Sequence, residues 1–93
     1  MLNNALILNQ IMYMGLILRI VSPEKIEYSG NVESVTVPGT LGEFQILVNH
    51  APLISSLERG IVKYSDSKGN HELAISGGFV EVQKNDVSLC VEL

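Results

Sequence analysis

Two histidines, one cysteine and a few serines and carboxylates are the side chains in this 93-residue sequence best suited to bond-making chemistry. A zinc site needs three or four ligands at close, recognisable spacing. His50, His71 and Cys90 instead fall in separate segments. His71 follows Gly69-Asn70 at the start of a strand-like run and reads as a solvated edge residue. His50 sits in Asn49-His50-Ala51-Pro52-Leu53, wedged between two apolar segments, where a structural or interface histidine is expected rather than a general base. Ser76-Gly77-Gly78 lacks the glycine two residues before the serine that a nucleophile elbow needs, with Ala74 in its place, so a bulge or close backbone approach explains its glycines. No segment matches Gly-x-x-x-x-Gly-Lys, the phosphate-cradling loop. The ten acidic residues are scattered along the chain, as on solvated strand faces. No catalytic residue, metal, nucleotide site or cofactor is expected.

The elements that would position these residues are strands. Val87, Leu89, Val91 and Leu93 alternate with Ser88, Cys90 and Glu92, which puts Cys90 on the face opposite its apolar neighbours. The same period of two runs through Val35 and Val37, through Phe44, Ile46 and Val48, through Leu73 and Ile75, and through Val80 and Val82. Leu16 to Val21 is almost continuously apolar, the pattern of a strand covered on both sides. Turn chemistry separates these runs at Ser22-Pro23-Glu24, Ser29-Gly30-Asn31, Pro38 to Gly42, Glu58-Arg59-Gly60, Ser67 to Asn70 and Lys84-Asn85-Asp86. Leu53 to Leu57 has the look of a helical turn, but Pro52 and Gly60 bracket it too tightly. Evenly spaced short strands with no long helical period imply an all-β sandwich or barrel.

Composition narrows the class of partner. Six basic against ten acidic residues give a net charge of −4, which argues against nucleic acid and anionic lipid, since both reward clustered cations. With 46% apolar and 17% charged residues the chain has the means to fold, and a lone cysteine rules out an internal disulfide framework and fits a reducing compartment. Residues 1–18 carry no charged side chain. They lack the basic start and small-x-small site of a secretory signal, and Asn3, Asn4, Asn9 and Gln10 interrupt any membrane span. Residues 1–13 read as an extension ahead of an internal start at Met12 or Met14, or as a short helix or extra strand packed on the domain or a partner. Residues 14–93 form the one domain.

A surplus of apolar residues crowds the turn-rich stretch 38–56, namely Leu41, Val48, Ala51, Leu53 and Ile54. Loops run over the surface, and exposed apolar patches on small domains mark interfaces. The sequence therefore reads as a docking module, with the alternative that these residues simply cap the ends of the sandwich.

Three ordered blocks resemble one family, the epsilon subunit of rotary ATP synthases (delta in mitochondria). They are Ile20-Val21-Ser22-Pro23-Glu24 with Gly30-x-Val32; Val37-Pro38-Gly39-x-x-Gly42-Glu43-Phe44-x-Ile46-Leu47 running into Asn49-His50-Ala51-Pro52-Leu53; and Ile75-Ser76-Gly77-Gly78-Phe79-Val80-Glu81-Val82. Spacing and order agree over residues 16–93. The resemblance implies a flattened sandwich of about ten short strands in a non-catalytic subunit of the F1 central stalk. Its partners would be the gamma subunit and the loops of the membrane c ring, and indirectly the alpha3beta3 head, with no nucleic acid bound and no direct lipid insertion. By resemblance, Ser22, His50, Ala51, Leu53 and Ser55 would face gamma, and Gly42 and Glu43 would face the c ring. The protein would lie peripherally at the cytoplasmic face of a bacterial plasma membrane, coupling proton or sodium flow to ATP synthesis.

The family usually continues into a C-terminal helical hairpin that can inhibit ATP hydrolysis and, in some bacteria, bind ATP. This sequence ends on a strand at Leu93, so neither property is carried over and a structural, coupling role is expected. The alternative is a generic β-sandwich interaction module with an unrelated partner.

Overall fold

The computed structural model describes residues 15–93, so expectations for residues 1–13 lie outside the described residues. Nine strands follow one another: β1 (Leu16–Val21), β2 (Ile26–Val32), β3 (Ser34–Gly39), β4 (Gly42–Ile46), β5 (Leu53–Leu57), β6 (Gly60–Asp66), β7 (Gly69–Ile75), β8 (Gly77–Gln83) and β9 (Asp86–Glu92). They hydrogen-bond in the order β2-β1-β9-β8-β5-β3-β6-β7, with β4 paired to β3 beside this path. Every pairing is antiparallel except that of β1 with β9. The sheet curls over itself into a body of 50 × 25 × 19 Å, its shortest dimension close to that of two layers packed ~10 Å apart with their side chains. The all-β expectation holds, with nine strands among the described residues.

The period of two decides what is inside. Leu16, Leu18 and Ile20 of β1 are buried, and Leu18 and Ile20 register through the parallel pair with Val87 and Leu89 of β9. Val80 and Val82 of β8 continue the layer. Val35 and Val37 of β3, Ile46 of β4, Leu57 of β5, Val62 of β6 and Ile75 of β7 supply the other half. The described core contains no buried polar or charged residue. Each fully buried aliphatic side chain of this kind contributes about 1.5–3 kcal/mol relative to exposure.

Two local readings of the sequence are corrected. The Leu16–Val21 strand is not covered on both sides: Ile17 is 54% exposed and Arg19 is exposed. Its apolar run reflects an apolar outer face, not a second buried one. Ser29-Gly30-Asn31 is not a turn but the middle of β2. Here the Tyr28 ring lies along its own strand, its hydroxyl only 2.9 Å from where a Cβ on Gly30 would stand. The glycine supplies space for an aromatic ring rather than a bend. At the other end of β2, Ile20 pairs with Tyr28 and Val21 with Ile26, leaving Glu27 as the extra residue of a bulge.

Gly78 fulfils the expectation of a close backbone approach. Its φ is +145°, and an added Cβ would lie 2.2 Å from the Cys90 carbonyl oxygen. The β8–β9 ladder can form at this distance only because residue 78 has no side chain.

His71 does lie on β7, the strand that ends the order, but it is half-buried rather than solvated. It stacks on Tyr64 with ring centroids 5.2 Å apart, and Tyr64 packs against Tyr28 at 4.5 Å. His71 Nε2 lies 2.8 Å from Asp66 Oδ1, while the Tyr28 hydroxyl donates to Asp66 Oδ2 at 3.0 Å. The Lys68 amide donates to Asp66 Oδ1 at 2.8 Å. Hydrogen bonds from His71 first, then from Lys68 and Tyr28, lower the Asp66 carboxyl to about 2. Desolvation, reinforced by the hydrogen bond to Asp66, raises the Tyr28 phenol to about 12. The cluster joins β2, at one end of the strand order, to the β6–β7 hairpin at the other.

Candidate docking face

The outward-facing residues of β5, β8, β9, β1 and β2 form lateral rows fixed by strand register. One row runs Ser56, Phe79, Cys90, Val21, Ile26. Phe79 is 49% and Ile26 54% exposed, with Cys90 and Val21 half-buried between them. The adjacent row runs Ile54, Glu81, Ser88, Arg19, Ser29, and Ile54 is 73% exposed. By contrast, the outward residues Thr36, Lys63 and Glu72 of β3, β6 and β7 form a polar row, as do Ser34, Ser65 and Asn70. The first face thus carries one apolar row beside a mostly polar one, while the second carries two polar rows beside the half-exposed Ile61, paired with Ala74. Water favours the second, whereas burying the first removes apolar area worth roughly 25 cal/mol per Å².

The residues singled out from the sequence do not form one constellation; they occupy three places. Ser22 closes β1 beside the apolar row, in a shallow groove of about 350 Å³ lined by Val21, Phe79, Cys90 and Val91 among others. Its backbone N–H donates to the Lys25 carbonyl at 2.9 Å and its hydroxyl to Glu27 Oε2 at 2.9 Å. The Ser22 side chain thus organises its own turn, with the bulge residue Glu27 as its acceptor.

Gly42 and Glu43 open β4 after the Thr40-Leu41 turn, and the structure brings them together with Leu53 and Ser55. All four line one groove of about 400 Å³, with Leu41, Phe44 and Ile54 supplying its apolar walls. Gly42 takes a φ of +132° with nothing near its missing Cβ, so it serves the turn's conformation alone. Among the surplus apolar residues, Leu53 and Val48 pack partly against the core, as the end-cap reading expects. Leu41 is fully exposed and Ile54 nearly so, as the interface reading expects. The two alternatives divide the residues between them.

His50 and Ala51 lie in the loop between β4 and β5. The His50 amide donates to the Leu47 carbonyl at 3.2 Å, and His50 Nδ1 is 2.7 Å from the Ala51 carbonyl oxygen. A carbonyl only accepts, so Nδ1 carries the proton. Asn49 adopts the left-handed conformation at φ 65°, which asparagine tolerates better than most residues, and its amide donates to Asn85 Oδ1 at 2.7 Å.

Sequence reasoning missed the Phe79, Cys90, Val21, Ile26 row, because a row across four strands requires the strand order and the β1–β9 parallel register. Its one visible trace was the excess of apolar residues in β1. No group of three or more His, Cys, Asp or Glu side chains converges as a metal site among the described residues.

Fold and surface together define a class: an all-strand sandwich domain with an exposed apolar row on one outer face. The family profile "ATP synthase, Delta/Epsilon chain, beta-sandwich domain" matches residues 16–93. The chain belongs to this ATP synthase delta/epsilon family. It is 42% identical over 73 residues to the ATP synthase epsilon chain of Leptospira borgpetersenii, covering 78% of this chain and 58% of that one. It is 47% identical over 75 residues to the epsilon chain of Desulfitobacterium hafniense, covering 81% and 57% respectively. The chain thus spans under three fifths of the length of these relatives. In fold it resembles a chain of the Euglena gracilis mitochondrial ATP synthase, solved as OSCP, F1 and c ring, with a TM-score of 0.78 and 23% identity over 84% of this chain and 51% of that one. A chain of the Tetrahymena thermophila mitochondrial ATP synthase central stalk and c ring gives a TM-score of 0.71 at 17% identity, covering 85% of this chain and 64% of that one.

Proposed function

We propose that this protein is a non-catalytic rotor subunit of an F-type ATP synthase, standing in the central stalk and linking gamma to the c ring. The observation that carries this reading is the exposed apolar row of Phe79, Cys90, Val21 and Ile26 on a chain of this family. The apolar row with the adjacent Ser22, and separately the His50 loop with Ala51, Leu53 and Ser55, face gamma. Gly42 and Glu43, at the β3–β4 hairpin, face the c-ring loops, where Glu43 pairs with basic or amide groups. An exposed pair of that kind contributes only about 0–1 kcal/mol, so Glu43 sets orientation while apolar burial supplies affinity.

The subunit performs no bond-making step. It carries torque by being stiff and by holding two partners at once, and a close-packed sandwich with a continuous ladder supplies that stiffness. A standard interface of roughly 1,200–2,000 Å² would suffice to hold gamma. The assembly lies at the cytoplasmic face of a bacterial plasma membrane and couples proton or sodium flow to ATP synthesis. The sandwich does not itself inhibit ATP hydrolysis.

The test is co-purification of this chain with the gamma subunit encoded in the same genome, comparing wild type with His50→Ala and Leu53→Ala. Stoichiometric binding, weakened by either substitution, is the expected result. A folded chain that ignores gamma would overturn the assignment and leave an interaction module with another partner. Adding the chain to its catalytic complex is expected to leave ATPase activity unreduced, and strong inhibition would refute the purely coupling role.

A further inference from the structure

The His50 loop spans six residues between Ile46 of β4 and Leu53 of β5. The amide of His50 is satisfied inside the loop by Leu47. The loop's hydrogen bond to another element among the described residues is the one from Asn49 N–H to Asn85 Oδ1, at 2.7 Å and 36 residues away in sequence. Asn85 stands in the tight turn joining β8 to β9, whose ladder is in continuous register from Gly77 and Glu92 to Gln83 and Asp86. Its backbone carbonyl accepts the Ile17 amide at 2.8 Å, tying the same turn to the start of β1. One residue therefore meets three elements: the central hairpin, the first strand and the loop that carries His50.

We infer that Asn85 is the positioning residue of the His50 loop, fixing the pose in which the His50 imidazole meets the partner. This deepens the gamma-binding reading and rests on it. The argument is one of pre-organisation. Asn49 holds a left-handed conformation of modest intrinsic stability, and a two-residue offset inside the loop would swing the imidazole to another direction. The amide bond to Asn85 selects one arrangement before any partner arrives. Without it the binding-competent pose is a fraction of the population, and apparent affinity falls by that fraction. An asparagine side chain suits the task because its carbonyl oxygen accepts while adding no charge beside the acidic neighbour Asp86.

The experiment uses the full chain with Asn85→Ala and Asn85→Asp, the second keeping an acceptor at the same reach. Three readings are taken: NMR of the Asn49 amide and the His50 ring in the free protein, the melting profile, and affinity for the gamma subunit of the same genome. In wild type a through-hydrogen-bond coupling from the Asn49 nitrogen to the Asn85 side-chain carbonyl carbon is expected, and its absence overturns the inference even if Asn85→Ala does not fold. Asn85→Ala is expected to lose the hydrogen-bonded shift and exchange protection of Asn49 and to bind gamma about three- to tenfold more weakly, the size of one hydrogen bond. Asn85→Asp is expected to restore most of both. Unchanged affinity despite a lost Asn49 signature overturns the positioning role, as does equal weakening by Ala and Asp. A wild-type chain that ignores gamma refutes the underlying assignment instead, and the Asn49 and His50 signals then decide on their own whether Asn85 fixes the loop.

Discussion

Substituting Gly78 by alanine should be among the most damaging single changes in the sandwich, and the size of the effect can be worked from two glycines. Gly42 and Gly78 both hold a positive φ, +132° and +145°, where a side chain is strained whatever the space around it. That backbone cost is about 1–2 kcal/mol. At Gly42 nothing lies within 4 Å of the missing Cβ, so Gly42→Ala should lose about that and no more. At Gly78 the new carbon would stand 2.2 Å from the Cys90 carbonyl oxygen and 2.9 Å from Val91 Cα. Both are main-chain atoms of β9, so no side chain can rotate away. Relief requires β8 to separate from β9 at the Gly78 and Val91 pair, weakening one or two ladder hydrogen bonds at roughly 0.5–1.5 kcal/mol each. Val80 and Val91, both buried beside the pair, would lose packing as well. The backbone and ladder terms alone come to about 1.5–5 kcal/mol, with the lost packing on top, a large share of the 5–15 kcal/mol typical of a domain. Urea unfolding of wild type and both variants, analysed with a common slope, measures the difference directly. If Gly78→Ala came within about 1 kcal/mol of Gly42→Ala, the argument from close strand approach would be wrong.

Three further outcomes are expected. The folded Asp66 carboxyl, held near 2 against an ordinary value of 3.8, adds stability above about pH 4 that is lost as pH falls through 4 toward 2; unfolding midpoints of wild type and Asp66→Asn should therefore converge on acidification, and parallel curves would exclude the linkage. The Tyr28 phenol, raised from 10 to about 12, adds stability that is full below pH 10 and lost as pH rises toward 12, so Tyr28→Phe should remove that alkaline decline while costing about 0.5–1.5 kcal/mol at neutral pH. Phe79→Ala, at a residue 49% exposed, should weaken gamma binding by about 1–3 kcal/mol with little change in unfolding midpoint; titration calorimetry and thermal melts of the same preparations would separate the two effects, and a large loss of stability would return Phe79 to the core.

What the sequence disclosed was whatever depends on a residue's nearest neighbours. The alternation of Val87, Leu89 and Val91 placed β9 and both its faces, and the paired glycines at 77 and 78 marked the close approach. Pairing across distance was hidden. Ser29-Gly30-Asn31 has turn composition, yet it lies in a strand because the Tyr28 ring fills the space over Gly30. β5 was obscured because Leu-Ile-Ser-Ser-Leu carries an exposed Ile54 where a period of two expects a polar residue. His71 looked solvated because the carboxylate and rings that hold it come from β6 and β2, whose meeting depends on how the sheet curls. The Asn49 and Asn85 contact spans 36 residues and has no local signature at all. Among the candidate interface residues, the resemblance supplied Gly42, Glu43, Leu53 and Ser55, and the fold gathers these four around one groove.

The parallel pairing of β1 with β9 has a consequence for how the molecule comes into being. The last strand inserts between β1 and β8, so among the described strands the β1–β2 hairpin gains its sheet neighbour only when β9 has been synthesised. On a ribosome adding residues at roughly 5–20 per second, the buried faces of Leu16, Leu18 and Ile20 wait several seconds for Val87 and Leu89. Closing contacts of such long sequence separation places the domain among slow folders for its size, in the millisecond-to-second range. The nascent hairpin, with its apolar inner and outer faces both open during that wait, is the stage at which chaperone capture or early meeting with a partner would matter most.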